Sequence, residues 1–440
     1  SSATADEIGQ AAEAGQAAFE SGWRDMPPGE RTRLLRNLAK RIHENVETLA
    51  QLETRNVGKP IGDARWEADA GAKVFDYYAG AIGHLCGQTI PVARGGFDFT
   101  LRQPMGVIAA ITPWNFPFLI ACWKVAPALA AGNSVVLKPA SLTPLTALML
   151  GQLAQEAGLP DGVLQVLPGS GAEAGNALAT HPLVRKIGFT GSTEVGATIM
   201  KLAADDIKRV SLELGGKSPN IVFADANWER AAAESPMSVF ANTGQDCCAR
   251  SRMFIEQSIF DGFVDQFVAA TESLKIGDPT DEATQVGPMV SAAQRELSES
   301  YITGARDAGR EIRTGGDRPS GGGFYLNPAV VTGVETGDLA WSEEIFGPVV
   351  CLRPFTDETE MLREVNDTNF GLSGSVWSND LSRALRVARQ VESGVISINS
   401  HSSVHTEAPF GGFKRSGLGR DLGMSAMEAC TEVKNIYVGE

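Results

Sequence analysis

The feature that most constrains the fold is a regular alternation between short apolar runs and longer segments of helical periodicity, beginning near residue 103. Five apolar runs have the length and composition of buried strands, and they lie at 106–111, 134–138, 163–167, 186–189 and 209–214. Four predicted helices separate them, at 123–132, 143–157, 173–179 and 193–203. This order is typical of a doubly wound parallel sheet, and the alternation continues from 216 to about 428. We therefore predict an α/β fold with two such sheets.

Two adjacent cysteines, Cys247 and Cys248, lie in a loop containing Gly, Gln and Asp, just before a pair of arginines. A thiolate is a strong nucleophile, and nearby cations lower the pKa of a thiol. Upstream, Glu213 is the single carboxylate in an apolar run, where burial would raise its pKa and suit it to act as a general base. Asn115 is a neutral amide donor between two prolines. Each residue alone has an ordinary structural explanation, but together they could carry acyl chemistry through a tetrahedral oxyanion.

Seven short motifs resemble those of the NAD(P)-dependent aldehyde dehydrogenase superfamily, in the order and spacing of that family and over nearly the whole chain. They are Pro-Trp-Asn-Phe-Pro (113–117), Leu-Lys-Pro (137–139), Phe-Thr-Gly-Ser-Thr-Glu-Val-Gly (189–196), Leu-Glu-Leu-Gly-Gly (212–216), Gly-Gln-Asp-Cys (244–247), Glu-Glu-Ile-Phe-Gly-Pro (343–348) and Pro-Phe-Gly-Gly (409–412). In general texture the chain is closest to the bacterial branch that resembles betaine- and amino-aldehyde enzymes. The resemblance implies an aldehyde dehydrogenase-like fold, with two doubly wound parallel-sheet domains and a small β oligomerisation arm.

The resemblance also implies how the chain is divided. Residues 1–81 and 105–215 would form the cofactor-binding domain, and residues 216–428 the catalytic domain. The hairpin at 82–104 and the tail at 429–440 would pair as an arm that another subunit covers, because a long exposed strand pair invites aggregation. A homodimer or homotetramer is therefore expected. Members of the family usually begin with a further stretch carrying an early strand pair, and we expect that portion to be missing from this sequence.

By resemblance, Cys247 rather than Cys248 is the nucleophile, because it stands two residues after Gly-Gln. Attack on an aldehyde would give a thiohemiacetal whose oxygen is held by the Asn115 side chain and the backbone N–H of Cys247. Hydride transfer to the nicotinamide would leave a thioester, and Glu213 would activate the water that hydrolyses it.

Two further residues, Lys124 and Asp421, match the positions of a proton relay behind the family's active site. The family usually has Glu where this chain has Asp421, so the shorter side chain puts that role in question. A surface salt bridge is the alternative explanation for the pair.

Cofactor binding is expected although the Gly-x-Gly-x-x-Gly fingerprint is absent. The segment 189–196 has a strand end, a glycine turn and a helix start, which could present free N–H groups to a pyrophosphate or could be a plain helix cap. Lys138 matches the family's adenosine-ribose lysine, and Ser141 replaces a glutamate common in NAD-specific members. The missing carboxylate removes repulsion against a 2′-phosphate, so NADP should be tolerated or preferred, while NAD stays possible. The cofactor residues implied by the resemblance are Ile111, Thr112, Trp114, Lys138, Ser141, Phe189, Gly191, Ser192, Leu214, Glu344 and Phe346.

The identity of the aldehyde is less constrained. The positions where succinate-semialdehyde enzymes carry arginine correspond to Trp123 and Ala241, neither of which is cationic. The aromatic box of betaine-aldehyde enzymes corresponds in part to Ile120 and Ala241, so the box is incomplete. Room beside Ala241 suggests a bulky or neutral aldehyde. His405, together with His401, is a candidate contact near the mouth, or else an ordinary surface histidine.

Composition narrows the possible partners. The formal net charge of −15 argues against nucleic acid or an anionic membrane. No apolar run is long enough for a transmembrane helix. The six cysteines lack the spacing of a disulfide framework, which suits a reducing cytoplasm. The motifs His-Glu-x-x-His and Cys-x-x-Cys are absent, so no metal site is expected.

Two other classes of protein remain open from the sequence. A hydrolase or acyltransferase could use Cys247 and Glu213 without redox chemistry, and a non-catalytic relative such as a lens crystallin could keep the fold alone. A CoA-acylating dehydrogenase is a nearer alternative, but such enzymes tend to lack the base that this chain has as Glu213.

Overall fold

Three β-sheets organise the computed structural model, which describes residues 2–402 and 404–439. The strands are β1 Thr89–Ile90, β2 Phe97–Pro104, β3 Val107–Ile111, β4 Ser134–Lys138, β5 Leu164–Val166, β6 Val184–Thr190, β7 Arg209–Glu213, β8 Pro219–Val222, β9 Arg252–Glu256, β10 Glu311–Thr314, β11 Ala329–Thr332, β12 Val349–Phe355, β13 Ser373–Trp377, β14 Val395–Ile398, β15 Gly417–Leu418 and β16 Thr431–Val438. The helices are α1 Ala5–Ala18, α2 Pro28–Glu44, α3 Val46–Val57, α4 Ile61–Ala81, α5 Pro117–Ala130, α6 Leu145–Glu156, α7 Asn176–Thr180, α8 Thr193–Ala203, α9 Trp228–Glu234, α10 Met237–Phe240, α11 Phe260–Glu272, α12 Ala292–Asp307, α13 Leu339–Ser342, α14 Glu358–Asn366, α15 Leu381–Gln390 and α16 Gly423–Glu428.

The first sheet has the order β15-β7-β6-β3-β4-β5, and every pairing in it is parallel except that of β15 with β7. Its register places Ile111 beside Lys138 on one side and beside Phe189 on the other. The carboxyl ends of parallel strands form the edge where α/β proteins bind ligands, so these three residues stand at that edge. The predicted α/β class and the doubly wound sheet are confirmed.

The second sheet has the order β10-β11-β12-β9-β8-β13-β14, and only β10 runs antiparallel to its neighbour. Its strands β8, β9, β11 and β13 are buried along almost their whole length, which explains why they appear in the sequence as continuous apolar runs. Strand β15 lies within 216–428 but joins the first sheet, beside Glu213. The division of the chain into domains therefore stays a prediction.

The third sheet joins the predicted hairpin to the tail of the chain. Strand β16 pairs antiparallel with β2, from Thr431 opposite Pro104 to Val438 opposite Phe97. Exposed apolar side chains occur on both of its faces. Within the described residues, no helix combines the length and the apolar composition needed to cross a membrane.

Helix α5 carries several candidate residues into the interior. It begins at Pro117, six residues before the predicted start, because proline suits the first turn of a helix. All of its residues are buried, since α4 covers one side and strands β3 and β4 the other. The first turn of α5 is held by Glu67 of α4, whose carboxylate accepts the backbone N–H of Leu119 at 3.0 Å.

Candidate active site

The loop that carries Cys247 has an unusual backbone. Asn242, Thr243 and Gly244 adopt φ angles of 49°, 58° and 71° in succession. A Cβ atom on Gly244 would lie 2.2 Å from the carbonyl oxygen of Gly347, so only glycine fits there. Such conformations persist when surrounding contacts determine them, and they are common at functional sites. The loop therefore presents Cys247 in a fixed position.

Asn115 is buried against this loop. Its Nδ2 donates a hydrogen bond to the carbonyl oxygen of Gln245 at 3.0 Å, and Asn242 Nδ2 donates to the carbonyl oxygen of Asn115 at 2.9 Å. The side chain of Gln245 fastens the loop in turn, because it donates to the carbonyl oxygen of Asn242 and accepts from the backbone of Val290, both at 2.9 Å. An amide carries two N–H donors, so one of those of Asn115 is left for another partner.

The thiol of Cys247 has close polar neighbours. The ligating atoms of Asp246, Cys247 and Cys248 all lie within 4.8 Å of one another. Contact with the Cys248 thiol, burial and the charge of Asp246 together raise the pKa of Cys247 well above its usual value. The nearby arginines do not pair with the thiol, because the buried guanidinium of Arg250 donates to the carbonyl oxygens of Cys248 and His401 and to Ser375. The Cys247 thiol therefore needs a base to become a thiolate.

Glu213 ends strand β7 and is buried. Neither of its carboxylate oxygens has a hydrogen-bond partner among the described residues. Burial first, and then the charge of Asp421, raise the pKa of Glu213 well above its usual value, while Lys124 and Arg420 oppose the shift. The carboxyl group therefore stands unpartnered in the wall of a cavity that Cys247 also lines. An unpartnered carboxylate in such a place can accept a proton from a reacting group.

Lys124 and Asp421 form an ion pair, with 2.9 Å between Nζ and Oδ2. Both side chains are buried, so the pair is not the surface salt bridge that was the alternative. Two backbone hydrogen bonds between Phe410 and Asp421, of 2.7 and 2.8 Å, fix the aspartate. Its shorter side chain therefore still reaches the lysine, and the two residues lie 297 positions apart in the sequence.

The first cavity, here called the aromatic cavity, has a volume of about 520 Å³. Its wall contains the rings of Phe116, Trp123 and Phe410, the side chains of Leu119, Ile120 and Leu372, and the residues Ala241, Glu213, Cys247 and Cys248. The predicted residues Ile120, Trp123 and Ala241 are therefore brought together with the thiol.

The structure places the two candidate histidines differently. His405 is exposed and does not line the aromatic cavity, whereas His401 does. The ring of His401 is hydrogen-bonded to Ser235 and Ser375 at 3.2 and 3.3 Å. Burial lowers the pKa of His401 to about 3, so its ring is neutral near pH 7.

Lys59, Asp63 and Trp66 are among the wall residues that were not expected from the sequence. Asp63 and Trp66 stand three residues apart on one face of α4, and this spacing was the available signal, whereas Lys59 precedes the helix. Lys59 is buried and paired with Glu53 and Glu67, and its ammonium lies 4.1 Å from the centre of the Phe116 ring.

The second cavity, here called the Lys138 cleft, also has a volume of about 520 Å³. All eleven residues predicted for cofactor binding line it, and they are Ile111, Thr112, Trp114, Lys138, Ser141, Phe189, Gly191, Ser192, Leu214, Glu344 and Phe346. Gln294 also lines it without having been expected, and its amide donates to the carbonyl oxygen of Phe346 at 3.0 Å. Cys247 lines both cavities, as do Thr190 and Leu214, so the two cavities meet around these three residues.

The donors of the Lys138 cleft suit a dinucleotide. The Lys138 ammonium donates only to the carbonyl oxygens of Pro139 and Gly169, at 2.9 and 3.1 Å, so no carboxylate among the described residues neutralises it. Burial lowers the pKa of Lys138 to about 8. Helix α8 starts in the same cleft, capped by Ser192, and its first turn offers N–H groups suited to phosphate.

A carboxylate and an aromatic ring complete the cleft near the thiol. Glu344 Oε1 accepts the backbone N–H of Gly216 at 2.9 Å, and burial raises the pKa of Glu344 to about 7. Phe346 meets Trp114 edge to face, with 5.2 Å between ring centres. Carboxylate oxygens beside a flat apolar wall match a sugar carrying a planar ring, so the residues present fit a nicotinamide nucleotide.

Comparison with known proteins agrees with this arrangement. The model described as the aldehyde dehydrogenase family matches residues 1–436. An aldehyde dehydrogenase of Emericella nidulans is 42% identical over 436 residues, which cover 99% of this chain and 88% of the relative. Betaine aldehyde dehydrogenase 1 of Oryza sativa subsp. japonica is 43% identical over 444 residues, covering 99% and 88%. Among solved structures, a mutant of the indole-3-acetaldehyde dehydrogenase AldA of P. syringae, in complex with NAD+ and IAA, matches with TM-score 0.98 and 40% identity over 100% of this chain and 90% of that one.

A doubly wound sheet, a cleft suited to a nicotinamide nucleotide and a thiol shared with a second cavity define a nucleotide-dependent oxidoreductase. The chain belongs to the aldehyde dehydrogenase family. The predicted reaction, oxidation of an aldehyde to a carboxylic acid with NAD(P), is thereby confirmed. A non-redox hydrolase or acyltransferase, or a non-catalytic relative, is not favoured.

Proposed function

We propose that Cys247 is the nucleophile of this aldehyde dehydrogenase, that the aldehyde binds in the aromatic cavity and that NAD or NADP binds in the Lys138 cleft. The observation that carries the proposal is that Cys247 lines both cavities. A substrate held on this sulfur would stand beside the place where a hydride acceptor binds.

The reaction can be written through the groups of this chain. The sulfur of Cys247 bonds to the aldehyde carbon while the thiol proton passes to solvent water, which gives the oxyanion of a thiohemiacetal. The free N–H of Asn115 and the backbone N–H of Cys247 would donate to the oxyanion that develops. A bound nicotinamide would supply the acceptor for the hydride that leaves this carbon. Glu213 would then take a proton from the water that cleaves the thioester, releasing the acid and restoring the thiol.

The buried pair of Lys124 and Asp421 would serve Glu213 as a proton relay. Both of its charges act on the pKa of Glu213, with Asp421 raising it and Lys124 lowering it. A buried ion pair is a weak source of stability, so a role in proton transfer gives a better reason for its place behind the base.

Replacing Asn115 by alanine is expected to lower kcat by about 10²–10³-fold, because one donor to the oxyanion is lost. KM should change far less, since the amide acts mainly when the oxygen becomes charged. The rate is measured by the absorbance of reduced nicotinamide. Asn379→Ala, which changes an exposed asparagine that lines neither cavity, is the matched control. Equal rates for the Asn115 variant and its parent would contradict the role.

Replacing Ser141 by glutamate is expected to lower kcat/KM with NADP relative to NAD by about tenfold, through repulsion of a 2′-phosphate. Ser141 lines the Lys138 cleft and its hydroxyl donates to the carbonyl oxygen of Gly169 at 3.0 Å, beside the uncompensated Lys138. Ser141→Gln is the control, because glutamine has the size of glutamate but no charge and so separates the effect of charge from that of shape. An unchanged cofactor ratio in the glutamate variant would place the 2′-hydroxyl elsewhere.

We infer that the aldehyde has a bulky, mostly apolar body, because rings line much of the aromatic cavity and Ala241 leaves room in it. By their names, one relative acts on indole-3-acetaldehyde, which carries an apolar ring system, and another acts on betaine aldehyde. A cationic tail is a second candidate, favoured by Asp63. Its carboxylate lines the cavity and has no hydrogen bond or ion pair among the described residues, and burial raises its pKa.

The experiment that tests the function is a panel of aldehydes, assayed with NAD and NADP in parallel. Phenylacetaldehyde, trimethylammonio-acetaldehyde and its uncharged tert-butyl isostere are the informative members. The parent should oxidise at least one of them faster than acetaldehyde. If it oxidised no aldehyde of the panel, the proposal would be contradicted. Asp63→Asn should lower kcat/KM by about tenfold for the cationic aldehyde alone if the tail is recognised by charge.

The three-stranded sheet is proposed as the place where subunits join into a homodimer or homotetramer. Exposed apolar side chains occur on both of its faces, with Phe97, Leu101 and Val438 on one and Val433 and Tyr437 on the other, and a second subunit would cover part of this surface. The mass of the particle in solution, measured by light scattering, should be two or four times that of the chain.

The enzyme is proposed to act in the cytoplasm, since all six cysteines are free thiols in the structure.

A further inference from the structure

The loop before strand β9 brings together three groups that bind metals. Asp246, Cys247 and Cys248 offer a carboxylate oxygen and two sulfurs, all within 4.8 Å of one another. Asp246 Oδ1 also accepts the backbone N–H of Cys248 at 2.8 Å, which turns the carboxylate back toward the two thiols. No other cluster of three or more such ligands occurs among residues 2–402 and 404–439.

We propose that Asp246, Cys247 and Cys248 bind a thiophilic divalent metal ion, such as Zn²⁺ or Cd²⁺, through two thiolates and one carboxylate oxygen. Zinc–sulfur bonds of about 2.3 Å on a tetrahedral ion separate two sulfurs by roughly 3.8 Å. That separation lies inside the observed limit of 4.8 Å. Three protein ligands leave the fourth position of the ion to water from the cavity, as in open zinc sites.

The charges balance with help from a neighbouring cation. Binding releases one proton from each thiol, so two thiolates and a carboxylate around a divalent ion leave one net negative charge. The buried guanidinium of Arg250 donates to the carbonyl oxygen of Cys248 and so lies against the same loop. It offsets that charge without competing as a ligand, because guanidinium has donors only.

The site is open to ions and nearly preformed. Cys247 lines two cavities, so an ion can reach it from either side. The loop that carries it is fixed by the positive φ angles of residues 242–244 and by the bonds of Gln245. A thiolate whose lone pair is bound to a metal cannot attack an aldehyde. A bound ion would therefore hold the enzyme in a reversible inactive form.

The test is titration of the full chain with Cd²⁺, followed by the ultraviolet charge-transfer band of cadmium thiolate. This readout does not depend on dehydrogenase activity, so failure of the metal site and failure of the proposed function are distinguishable. We expect one ion per chain, with a band typical of two thiolates. Competition with a chromophoric chelator gives the affinity, and Zn²⁺ is titrated in the same way.

Two variants and a control decide the outcome. Cys248→Ala should lower the affinity for Cd²⁺ by about 100-fold and halve the band, and Asp246→Asn should lower the affinity with the band intact. Cys248→Ser repeats the first test if the alanine variant does not fold. Cys86→Ala removes an exposed cysteine outside the site and should leave binding unchanged. Unaltered affinity in both Cys248 variants, or a parent without a thiolate band, would overturn the proposal.

Discussion

Cys247→Ala is expected to lower kcat for aldehyde oxidation by about 10⁴-fold or more, the scale seen when a nucleophile is removed from an enzyme that forms a covalent intermediate. No other thiol can take its place: Cys248 lines only the aromatic cavity, while Cys247 lines both cavities. The loop should keep its shape, because it is held by Asn115, Gln245 and Asn242 rather than by the thiol. The measurement is the steady-state rate of nicotinamide reduction with the best aldehyde of the panel.

Cys248→Ala is the matched control for this prediction, since it removes the neighbouring thiol from the same loop. It should keep at least about a tenth of the parent rate, because the nucleophile and the base remain. Both variants should bind NAD like the parent, as measured by quenching of tryptophan fluorescence. If the Cys247 variant oxidised aldehyde at the parent rate, or the Cys248 variant lost activity in its place, the assignment of the nucleophile would be wrong.

The local fold was predictable because local patterns determine it. The apolar runs at 106–111 and 134–138 became strands β3 and β4, since central strands of a parallel sheet are buried on both faces. The pairing of the tail with the hairpin followed from the resemblance and from the strand alternation at 97–102. Strand β15 could not be foreseen, because two residues carry no periodicity and their pairing with β7 depends on tertiary packing.

The sequence predicted only those active-site residues that lie within recognisable motifs. Residues such as Asn115 and Cys247 lie in recognisable motifs, whereas Asp63 and Trp66 reach the aromatic cavity only because α4 packs on α5. The choice between His401 and His405 depends on the path of the loop after β14, which no periodicity records. The sequence also suggested that arginines would activate the thiol. In the structure, Arg250 and Arg252 are buried and donate instead to backbone carbonyl oxygens and to the Ser375 hydroxyl, because buried polar groups need hydrogen-bond partners.

Glu213→Gln is expected to separate the two halves of the reaction. Glutamine has the shape of glutamate but cannot take a proton from water, so hydrolysis of the thioester should slow by about 10²–10⁴-fold. Acylation of Cys247 needs no water, so one equivalent of reduced nicotinamide should appear in a burst before a slow steady state. Rapid mixing with absorbance detection measures both phases. Glu234→Gln makes the same change in the wall of the same cavity and should leave both phases within about twofold, as expected for an exposed side chain.

The pH dependence follows from the raised pKa of Glu213. Its base form is the carboxylate, so kcat of the parent should rise with pH through this pKa, and that rise should be missing in Glu213→Gln.

The effect of pH on the stability contributed by Glu213 has the opposite sign. A folded-state pKa above the usual 4.5 means that the folded chain keeps the proton longer than the unfolded chain, so this group contributes less stability as pH rises from 4.5 through the folded value. At pH 8, the unfolding temperature of Glu213→Gln should therefore be equal to or higher than that of its parent. A variant that was both inactive and less stable would instead indicate a structural role for Glu213.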